Sequence, residues 1–322
     1  MKRIAVLTSG GDAPGMNAAV RGVVRTADAL GVHTLGVEFG YRGLIKDRMR
    51  ELDARAVSGI IQLGGTILGT ARSEEFRTPE GRARAAANLK GRGVDGLVVI
   101  GGDGSFHGAQ ALSDEHGIAC VGIPGTIDND LGGSDFTLGF DTAVNVALEA
   151  IDRIRDTASS HERLFFVEVM GRRAGWLALY AGLAGGASAV LVPERPTDIE
   201  AVRERVRGSF EMGKTFCIVV VAEGDDAGGA YGIANGVVEG TSLDSRVTVL
   251  GHVQRGGPPT MRDRVLGARL GHAAVKALLE GQDQIMVGER SGQIIRTSLE
   301  TAWTDNDHDA GPLLELIDLL AR

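Results

Sequence analysis

Nine short apolar runs, separated by segments with helical spacing, constrain the fold of this chain more than any other feature of its sequence. The runs are continuous and rich in Val, Ile, Leu and Phe: RIAVLTS, HTLGVEF, GLVVIGG, IACVGIPG, LFFVEVMG, SAVLVPE, FCIVVVAEG, VTVLGHVQRG and IMVGE. Continuous apolar strands are typical of parallel sheets that are covered on both faces. Strands that alternate with helices predict βαβ units. The sequence therefore predicts an α/β fold whose sheets are mainly parallel.

Two of the intervening segments show helical spacing with a recognisable start. Apolar residues recur every three or four positions after Asp141: Val144, Ala147, Leu148, Ile151 and Ile154. Further along, Thr197 and Glu200 have the spacing of a capping box, in which two side chains satisfy backbone N–H groups at the start of a helix. We therefore expect one helix after Asp141 and another that Thr197 caps.

Length and glycine content indicate how these units are organised. A chain of 322 residues with 43% hydrophobic content can bury two ordinary cores, so two domains are expected. The 48 glycines stand mostly at the ends of the apolar runs, where they allow tight turns from strand to helix. Ligands of open α/β sheets bind at the carboxyl ends of the strands. Functional residues should therefore be sought where the apolar runs end.

The charge balance argues against several classes of partner. A net charge of −8 and a pI near 5.4 disfavour a general binder of nucleic acid or of membrane surfaces. Only five of the 34 basic residues are lysines, which favours planar, bidentate arginine contacts at any anion site. Cys120 and Cys217 lie inside apolar runs, as buried thiols of a reducing compartment do. The amino terminus enters a strand at once, so we expect no signal peptide and a cytoplasmic location.

One segment matches a nucleotide-binding motif in the wrong context. GSFEMGKT, from Gly208 to Thr215, fits the phosphate-loop pattern G-x-x-x-x-G-K-[ST]. A working phosphate loop follows a strand and precedes a helix, because the helix amino terminus and the loop amides face the phosphates together. Here an amphipathic segment comes first and the strand FCIVVVAE follows. We therefore interpret Gly213 as the residue that ends a helix.

Two glycine loops and one acidic loop follow three of the apolar runs. The glycine loops are TSGGDAPG, from Thr8 to Gly15, and GGDGS, from Gly101 to Ser105; the acidic loop is PGTIDND, Pro124 to Asp130. Either glycine loop alone could be an ordinary βα turn, and the acids could cap a helix through Asx turns. Taken together, the loops offer bare backbone for phosphates and four carboxylates, of which Asp103, Asp128 and Asp130 follow the second glycine pair and the acidic run.

Clustered carboxylates indicate a metal ion and a proton acceptor. Asp128 and Asp130 could face one cleft if the backbone turns at Asn129, and repulsion between them would be costly without a cation. A Mg²⁺ ion held with Asp103 supplies that cation and leaves one aspartate as a general base, as in phosphoryl transfer.

Cationic side chains near the ends of other runs could bind a sugar phosphate. They are Arg72, Arg163, Arg172, Arg246, His252 and Arg255. Each alone is more often a solvated charge or an ion-pair partner, so the prediction is that they lie together. The single histidine of GHVQRGG lacks a second ligand at metal spacing, so a hydrogen bond to phosphate suits it better than a transition metal.

These motifs together resemble the bacterial ATP-dependent 6-phosphofructokinases. The sequences LTSGGDAPGMNAAVRG, GGDGS, PGTIDND, GFDTAVN, EVMGRRAG and LGHVQRGG occur in that family's order and approximate spacing. The resemblance implies two Rossmann-like domains with an active-site cleft between them, and a homotetramer. It implies an ATP-binding domain of residues 1–139 and 252–302, and a fructose 6-phosphate-binding domain of residues 140–251 and 303–322.

The resemblance also assigns roles in the transfer of phosphate from ATP. The residues around ATP would be Gly11, Tyr41, Arg72, Gly102, Asp103, Gly104 and Ser105. Asp103 would hold Mg²⁺, partly through waters. Asp128 would accept the proton of the sugar's 1-hydroxyl, while Thr126 and Asp130 order that loop. Arg172 and the Gly11 amide would stabilise the phosphoryl group in transit.

Further roles concern the sugar phosphate and an allosteric effector. The sugar-binding residues would be Thr126, Ile127, Asp128, Met170, Gly171, Arg172, Glu223, Arg246, His252 and Arg255, with Arg163 from a neighbouring subunit. ADP or phosphoenolpyruvate would be held by Arg21, Arg25, Arg155 and Lys214. This chain has Ser188 where well-known members carry a glutamate, and Met212 replaces a lysine. Both changes predict a weaker response to Mg·ADP.

Alternative functions are kinases with another phosphoryl donor or substrate, and a protein that binds sugar phosphates without catalysis. Pyrophosphate-dependent relatives carry an aspartate at the position of Gly104 and a lysine at that of Gly125, so two glycines predict room for a nucleotide. Kinases of diacylglycerol or NAD share a G-G-D-G loop but would lack PGTIDND and GHVQRGG. A regulatory sugar-phosphate binder would be expected to lack the base, and Asp128 is present.

Overall fold

The computed structural model describes residues 1–158, 163–305 and 308–321. Its strands are β1 (Arg3–Thr8), β2 (His33–Val37), β3 (Met49–Leu52), β4 (Gly96–Gly101), β5 (Ala119–Thr126), β6 (Leu138–Gly139), β7 (Arg163–Val169), β8 (Ala189–Leu191), β9 (Phe216–Ala222), β10 (Ser245–Val249), β11 (Ile285–Arg290) and β12 (Gln293–Ser298). Every one of the nine apolar runs contains a strand.

Helices connect most of these strands. They are α1 (Met16–Ala29), α2 (Gly40–Ile45), α3 (Pro79–Gly91), α4 (Asp103–His116), α5 (Phe140–Ala158), α6 (Trp176–Ala184), α7 (Ile199–Glu211), α8 (Gly229–Val238), α9 (Met261–Leu279), α10 (Leu299–Thr304) and α11 (Gly311–Leu320). Two short 3-10 helices are η1 (Glu75–Arg77) and η2 (Gly251–Arg255). The alternation of strand and helix is that of an α/β fold, as predicted.

The chain forms two compact units, and each is discontinuous in sequence. Unit 1 comprises Met1–Ile127, Leu131–Thr142 and Arg255–Asp307; unit 2 comprises Asp128–Asp130, Ala143–Gln254 and His308–Arg322. The main crossings fall within a few residues of those expected. The acidic loop differs, because residues 128–130 group with unit 2 although the strand before them belongs to unit 1.

Each unit has its own sheet. The sheet of unit 1 has the order β12-β11-β5-β4-β1-β2-β3, with β6 paired to β5. Its interior pairs are parallel, whereas β3 and β12 run antiparallel to their neighbours at the two edges. Unit 2 has an all-parallel sheet of order β10-β7-β9-β8. The mainly parallel topology predicted from the sequence is confirmed.

Burial follows strand position in both sheets. In β1 the residues Ile4 to Leu7 are completely buried, as are Leu97 to Ile100 in β4, because helices cover both faces of a parallel sheet. The edge strands β3 and β12 are half exposed, with the sequences MREL and QIIRTS. Their polar, mixed character gave no continuous apolar run, which explains why the sequence did not predict them.

The segment that matches the phosphate-loop pattern forms the end of helix α7. The helix ends at Glu211, and Gly213 adopts a left-handed φ of 89° before β9 begins. The Gly213 and Lys214 amides donate to the carbonyls of Phe210 and Ser209, at 2.9 and 3.1 Å, which is the Schellman pattern of a helix end. The helix precedes the strand, so the segment is not a phosphate loop.

The amino terminus of α7 differs from the expected capping box. Asp198 is the capping residue, and its carboxylate accepts from the amides of Glu200 and Ala201 at 2.9 and 3.2 Å. The Thr197 hydroxyl instead donates to Asp225 at 2.5 Å. The prediction of Thr197 as the cap is therefore wrong by one residue, because a tertiary contact engages its hydroxyl.

Within the described residues, none of the helices is long and apolar enough to cross a membrane.

Candidate active site

The two predicted glycine loops lie side by side in unit 1. Strands β1 and β4 are neighbours in the sheet, and the Ser9 amide, just after β1, donates to the Ile100 carbonyl at 2.9 Å. A Cβ added at Gly101 would lie 2.7 Å from the Ser9 carbonyl oxygen. Side chains are therefore excluded where the loops touch, and backbone lines this edge of the sheet.

The second loop leads directly into a helix amino terminus. Gly102 precedes α4, and its carbonyl accepts from the amides of Ser105 and Phe106 at 2.9 and 3.1 Å. Asp103 is the first residue of this 14-residue helix. The first amides of a helix have no intrahelical partner and carry its positive dipole end, so this edge suits a phosphate group.

The Tyr41 side chain is buried against the start of α4 and does not face solvent. Its hydroxyl donates to the Ser105 carbonyl, and its ring stacks on Phe76 with centroids 4.0 Å apart. The side chain is only 6% exposed, and burial raises the pKa of its hydroxyl. Tyr41, expected beside ATP, therefore acts in this structure as a support for the first turn of α4.

Two polar residues that the sequence reasoning missed anchor the segment before Arg72. The Asn17 side-chain amide donates to the carbonyls of Leu63 and Gly64 at 3.1 and 3.2 Å, and its oxygen accepts from the Ile67 amide at 2.8 Å. The Thr8 hydroxyl donates to the Gly69 carbonyl at 3.0 Å. Asn17 is completely buried on an otherwise apolar helix face, and that polar residue was the available signal. Arg72 itself is exposed.

Arg255 lies directly over the first glycine loop. A Cβ at Gly11 would be 1.8 Å from Arg255 Nη1 and 2.8 Å from its Cζ. The Arg255 Nε is buried and has no hydrogen-bond partner among the described residues. A buried charged donor without an acceptor is costly, and an anion at this loop would satisfy it. The predicted Gly11 and Arg255 are therefore brought together.

In unit 2, three predicted residues meet at the carboxyl edge of the sheet. The Glu223 amide, after β9, donates to the Val169 carbonyl at 2.9 Å, and the Gly224 amide donates to the Gly171 carbonyl at 3.1 Å. The segment of Met170, Gly171 and Arg172 therefore runs beside Glu223. The Leu250 amide, after β10, donates to the Glu168 carbonyl at 3.0 Å, which brings His252 of η2 to the same edge. Arg172, Glu223 and His252 are exposed there.

Arg163 and Arg246 lie at the opposite edge of that sheet. Arg163 begins β7, and Arg246 pairs with Phe165 near the start of β10. Asp244 pairs with both guanidinium groups, at 3.7 Å from Arg163 Nε and by a short hydrogen bond to Arg246.

This placement corrects the expected grouping of the cations. Glu223 follows Ala222, which pairs with Val169, so it lies roughly 16 Å further along the strands than Arg246, at about 3.3 Å per residue. Arg246 therefore lies with Arg163 at the amino edge of the sheet, away from Glu223 at the carboxyl edge.

The acidic loop turns where the sequence suggested. Asn129 has a left-handed φ of 52° and is 2% exposed, between the half-buried Asp128 and Asp130. Thr126 ends β5, and its carbonyl accepts from the Thr137 hydroxyl at 2.6 Å. Asp128 and Asp130 therefore flank a residue of left-handed conformation, directly after a buried strand.

Comparisons with known proteins place this architecture. A profile of the family described as Phosphofructokinase matches residues 3–278. The chain belongs to the phosphofructokinase family. It is 58% identical over 321 residues to ATP-dependent 6-phosphofructokinase 1 of Thermus thermophilus, covering all of both chains. It is 52% identical over 315 residues to ATP-dependent 6-phosphofructokinase of Bacillus subtilis, covering 98% of this chain and 94% of that one.

Solved structures of phosphofructokinases share the fold. The phosphofructokinase of Saccharomyces cerevisiae superposes with a TM-score of 0.90 at 39% identity; the match covers this whole chain and 48% of the yeast chain. A pyrophosphate-dependent phosphofructokinase from Marinobacter aquaeolei gives a TM-score of 0.84 at 26% identity, over 98% of this chain and 91% of the other. The two-unit α/β architecture is thus that of the phosphofructokinase family.

The two glycines that were expected to leave room for a nucleotide differ in their surroundings. A Cβ at Gly104 would have no atom within 4 Å. A Cβ at Gly125 would lie 3.1 Å from both Ile100 Cγ2 and Met16 Cε. The expectation of open space is therefore supported at Gly104 and wrong at Gly125, because Ile100 of β4 and Met16 of α1 pack against Gly125.

Asp103 fits a magnesium ion that is shared with a phosphorylated ligand. Within the described residues there is no cluster of three or more His, Cys, Asp or Glu side chains that could hold a metal ion. Mg²⁺ commonly uses one or two carboxylates and completes its shell with waters and substrate phosphates. A single half-buried carboxylate at the start of α4, beside backbone suited to phosphate, meets that requirement.

The effector residues named from the phosphofructokinase resemblance are partly engaged within the chain. Arg155 donates to the Gly185 carbonyl, and Lys214 donates to the Ala321 carbonyl at 3.0 Å. Ser188 is buried; burial raises the pKa of the Cys217 thiol, and a hydrogen bond with Ser188 partly opposes the shift. The Ser188 hydroxyl is therefore directed into the core rather than available as a metal ligand. Arg21 and Arg25 lie on α1 of unit 1.

Proposed function

We propose that this chain is an ATP-dependent 6-phosphofructokinase. It transfers the γ-phosphoryl group of ATP to the 1-hydroxyl of fructose 6-phosphate and releases fructose 1,6-bisphosphate and ADP. The observation that carries the proposal is the full-length relationship, at 58% identity, to a protein named for that activity. The two adjoining glycine loops and the acidic loop supply the chemistry that such a transfer needs.

Binding of the donor rests on the loops of unit 1. The amides of the Gly11 loop and of the first turn of α4 hold the phosphates, and Arg72 adds a cation from its exposed position. Asp103 would hold Mg²⁺, which neutralises phosphate charge when it is bound. The open space at Gly104 supports a nucleotide as the donor.

Proton transfer and charge stabilisation belong to the acidic loop and to the arginines. Asp128 accepts the proton of the 1-hydroxyl as that oxygen attacks phosphorus, and Thr126 and Asp130 keep its loop in place. Arg172 and the Gly11 amide stabilise the negative charge of the phosphoryl group in transit. No covalent intermediate on the protein is required.

The residues that we assign to the sugar phosphate come from the sequences of both units and of a second copy. Met170, Gly171, Glu223 and His252 lie together at one edge of the unit 2 sheet, and Ile127 and Arg255 complete the set from unit 1. Since Arg163 and Arg246 share Asp244 at the other edge, we assign both to the site of a neighbouring subunit. Such a site requires an oligomer, and we propose a homotetramer in the cytoplasm.

A coupled assay with fructose 6-phosphate tests the proposal. Purified protein is offered ATP and pyrophosphate in parallel, with Mg²⁺ present. We expect turnover with ATP and little with pyrophosphate. A preference for pyrophosphate would favour the alternative donor, and sugar binding without turnover would favour a regulatory binding protein.

Regulation by anions is expected to be altered in this chain. We propose that phosphoenolpyruvate inhibits through Arg21, Arg25, Arg155 and Lys214, and that Mg·ADP activates weakly, because Ser188 provides no carboxylate for its metal. The measurement is the shift in half-saturating fructose 6-phosphate on adding either effector. Met212 is 68% exposed, so Met212→Lys should be tolerated and should strengthen both responses. Strong Mg·ADP activation of the native protein would contradict this account.

A further inference from the structure

Unit 1 contains a fully buried carboxylate to which none of the catalytic roles above refers. Asp263 lies in the first turn of α9 and is 1% exposed. Buried carboxylates are rare unless they are paired or hydrogen-bonded. The contacts of Asp263 therefore indicate what its charge is for.

Asp263 accepts three hydrogen bonds from the segment that begins α5. Its Oδ1 accepts from the Gly139 amide at 2.8 Å. Its Oδ2 accepts from the Thr142 amide at 2.9 Å and from the Thr142 hydroxyl. The Thr142 hydroxyl in turn accepts from the Thr260 amide at 3.0 Å. One carboxylate thus connects the starts of α5 and α9.

The same residue packs on the end of the first glycine loop. A Cβ at Gly15, the residue before α1, would lie 3.2 Å from Asp263 Cβ and 3.3 Å from its carbonyl oxygen. Gly139, which Asp263 holds, also contacts that loop, since a Cβ there would be 2.7 Å from Ala13 Cβ and 3.1 Å from Pro14 N. The backbone of the loop that carries Gly11 is therefore enclosed by groups that Asp263 fixes.

The carboxylate also lies close in sequence to Arg255. Thr260 caps α9 through the Asp263 amide at 3.4 Å, and its hydroxyl donates to Asp141 at 2.6 Å. Because the chain from Arg255 to Thr260 is short, fixing Thr260 limits where the Arg255 backbone can lie.

We propose that Asp263 is a positioning residue for phosphoryl transfer, which holds the Gly11 loop and the Arg255 segment in register by fixing the starts of α5 and α9. The proposal rests on the proposed function only in that it takes Gly11 and Arg255 to act on substrate. Asp263 does not itself reach the reacting groups; it acts through Gly139, Thr142 and Thr260.

A neutral isostere cannot replace this carboxylate. All three groups that face its oxygens are donors. An asparagine would direct its NH₂ group at the Gly139 amide or at the Thr142 amide, and two donors in contact leave a buried polar group unsatisfied. Asp263→Asn should therefore loosen the junction although its volume is unchanged.

Protonation likewise replaces an acceptor oxygen by a donor in the native protein. Burial is the largest cause that raises the pKa of Asp263, to about 6 from 3.8. The folded chain thus holds this proton more tightly than the unfolded chain, so ionisation of Asp263 opposes folding as pH rises from 3.8 to about 6. Above pH 6 the carboxylate is ionised and all three bonds form; below it, an O–H faces donors.

Few other charges face this group. Asp141 faces it from α5 and raises its pKa further. Residues 13–15 before α1, and the residues of β5 and β6, carry no titratable side chain apart from the buried Cys120. On α9 itself, the Arg262 guanidinium lies over the Phe136 ring and Arg264 donates to the Pro259 carbonyl. A pH effect at this junction can therefore be assigned to the carboxylate.

The test compares Asp263→Asn with a control, Asp283→Asn. Asp283 also accepts three hydrogen bonds in unit 1, from the Ser113 hydroxyl and the amides of Cys120 and Gln284, but it is exposed and lies at the amino end of β5. We expect Asp263→Asn to lower kcat by about tenfold to a hundredfold, because small displacements of catalytic groups cost rates of that order. Asp283→Asn should leave kcat within about twofold of the native value.

The pH dependence separates positioning from general destabilisation. The ratio of kcat of Asp263→Asn to that of the native enzyme should rise as pH falls from about 7.5 to 5.5, since only the native protein loses the carboxylate. Any pH dependence of kcat that arises from other groups, including Asp128, affects both enzymes equally and cancels in this ratio. A native-like kcat for Asp263→Asn would overturn the proposal.

A second readout does not depend on activity. In hydrogen–deuterium exchange, peptides covering residues 10–16 and 137–143 should exchange faster in Asp263→Asn than in the native protein and not in Asp283→Asn. Unchanged exchange in these peptides would also overturn the proposal. A native protein inactive towards fructose 6-phosphate would refute the proposed function, while the exchange experiment still tests the junction.

If Asp263→Asn does not fold, a pair of substitutions at Thr142 tests the same junction. Thr142→Val removes the hydroxyl that bridges Asp263 and Thr260, whereas Thr142→Ser keeps it. We expect the valine variant to lower kcat and to loosen residues 10–16, and the serine variant to behave like the native enzyme. Equal behaviour of the two variants would overturn the proposal.

Discussion

At the scale of single residues, the contact of Arg255 with Gly11 best explains why a glycine stands in the first loop. Gly11 does not have a positive φ, so its backbone conformation is open to other residues. Its side chain is excluded by a neighbour instead, because a Cβ would lie 1.8 Å from Arg255 Nη1. The glycine lets a guanidinium rest on bare backbone.

Gly11→Ala should therefore damage function more than stability. The neighbour that must move is the end of a flexible side chain, so the fold should persist with a small change in Tm. Displacing the guanidinium should raise the KM for fructose 6-phosphate by about tenfold or more, a loss typical of a charged contact to phosphate. Steady-state kinetics and thermal unfolding measure the two effects.

The control for this prediction is Gly91→Ala. Gly91 ends α3, has an ordinary φ, and a Cβ there meets no atom within 4 Å. This variant should match the native enzyme in both measurements. A Gly11→Ala enzyme with native kinetics would show that Arg255 needs no access to the Gly11 backbone.

At the scale of elements, the strand β5 and the helix α4 each contain a glycine that the sequence related to the phosphoryl donor, but for different structural reasons. Gly125 lies inside the buried strand β5, and Ile100 of β4 and Met16 of α1 fill the space beside it. Gly104 lies on the exposed first turn of α4 with nothing beside it. Close packing explains why residue 125 is a glycine, and space for a ligand explains why residue 104 is one.

Substitutions at these positions should consequently separate stability from donor use. Gly104→Asp should fold normally and reduce turnover with ATP, because a carboxylate would enter the space for the nucleotide. Gly125→Lys should lower the free energy of unfolding by roughly 2–4 kcal/mol, since it overpacks a buried strand with a charged side chain. Urea unfolding and the coupled assay measure both. Equal loss of stability in the two variants would refute this distinction.

At the scale of the whole molecule, the position of Arg163 and Arg246 is the observation behind the proposal that another copy completes the sugar site. Both cations lie at the amino edge of the unit 2 sheet, with Asp244 between them, while Glu223 and Arg172 lie at the carboxyl edge. A parallel sheet separates these edges by the length of its strands. The two groups therefore lie at opposite edges of one sheet, which favours two different sites.

Mixed oligomers should therefore recover activity. Asp128→Ala removes the proposed base and Arg246→Ala removes the cation proposed to be shared, so each variant alone should lose most of its activity. When the two are dissociated and reassembled together, sites with an intact Asp128 can receive Arg246 from the other chain, and a substantial part of kcat/KM should return. Mixing Asp128→Ala with Arg172→Ala should restore little, because both residues serve the site of their own chain. Absence of recovery in the first mixture would place Arg246 elsewhere.

The sequence by itself determined the α/β class, the parallel strands, the glycine and acidic loops, and the rejection of the apparent phosphate loop at Gly213. These features depend on local periodicity and on the order of strand and helix, which neighbouring residues encode. It did not determine the edge strands β3 and β12, whose pairing is supplied by a sheet interior distant in sequence.

Tertiary structure alone decided the roles of Tyr41, Gly125, Arg246 and Asp263. Their surroundings are residues far along the chain: the Ser105 carbonyl for Tyr41, Ile100 and Met16 for Gly125, and the Gly139 amide for Asp263. For Arg246 the deciding fact was the edge of the sheet on which β10 begins. A motif fixes which groups are available, but burial and strand direction depend on packing between distant segments, and no local pattern carries that information.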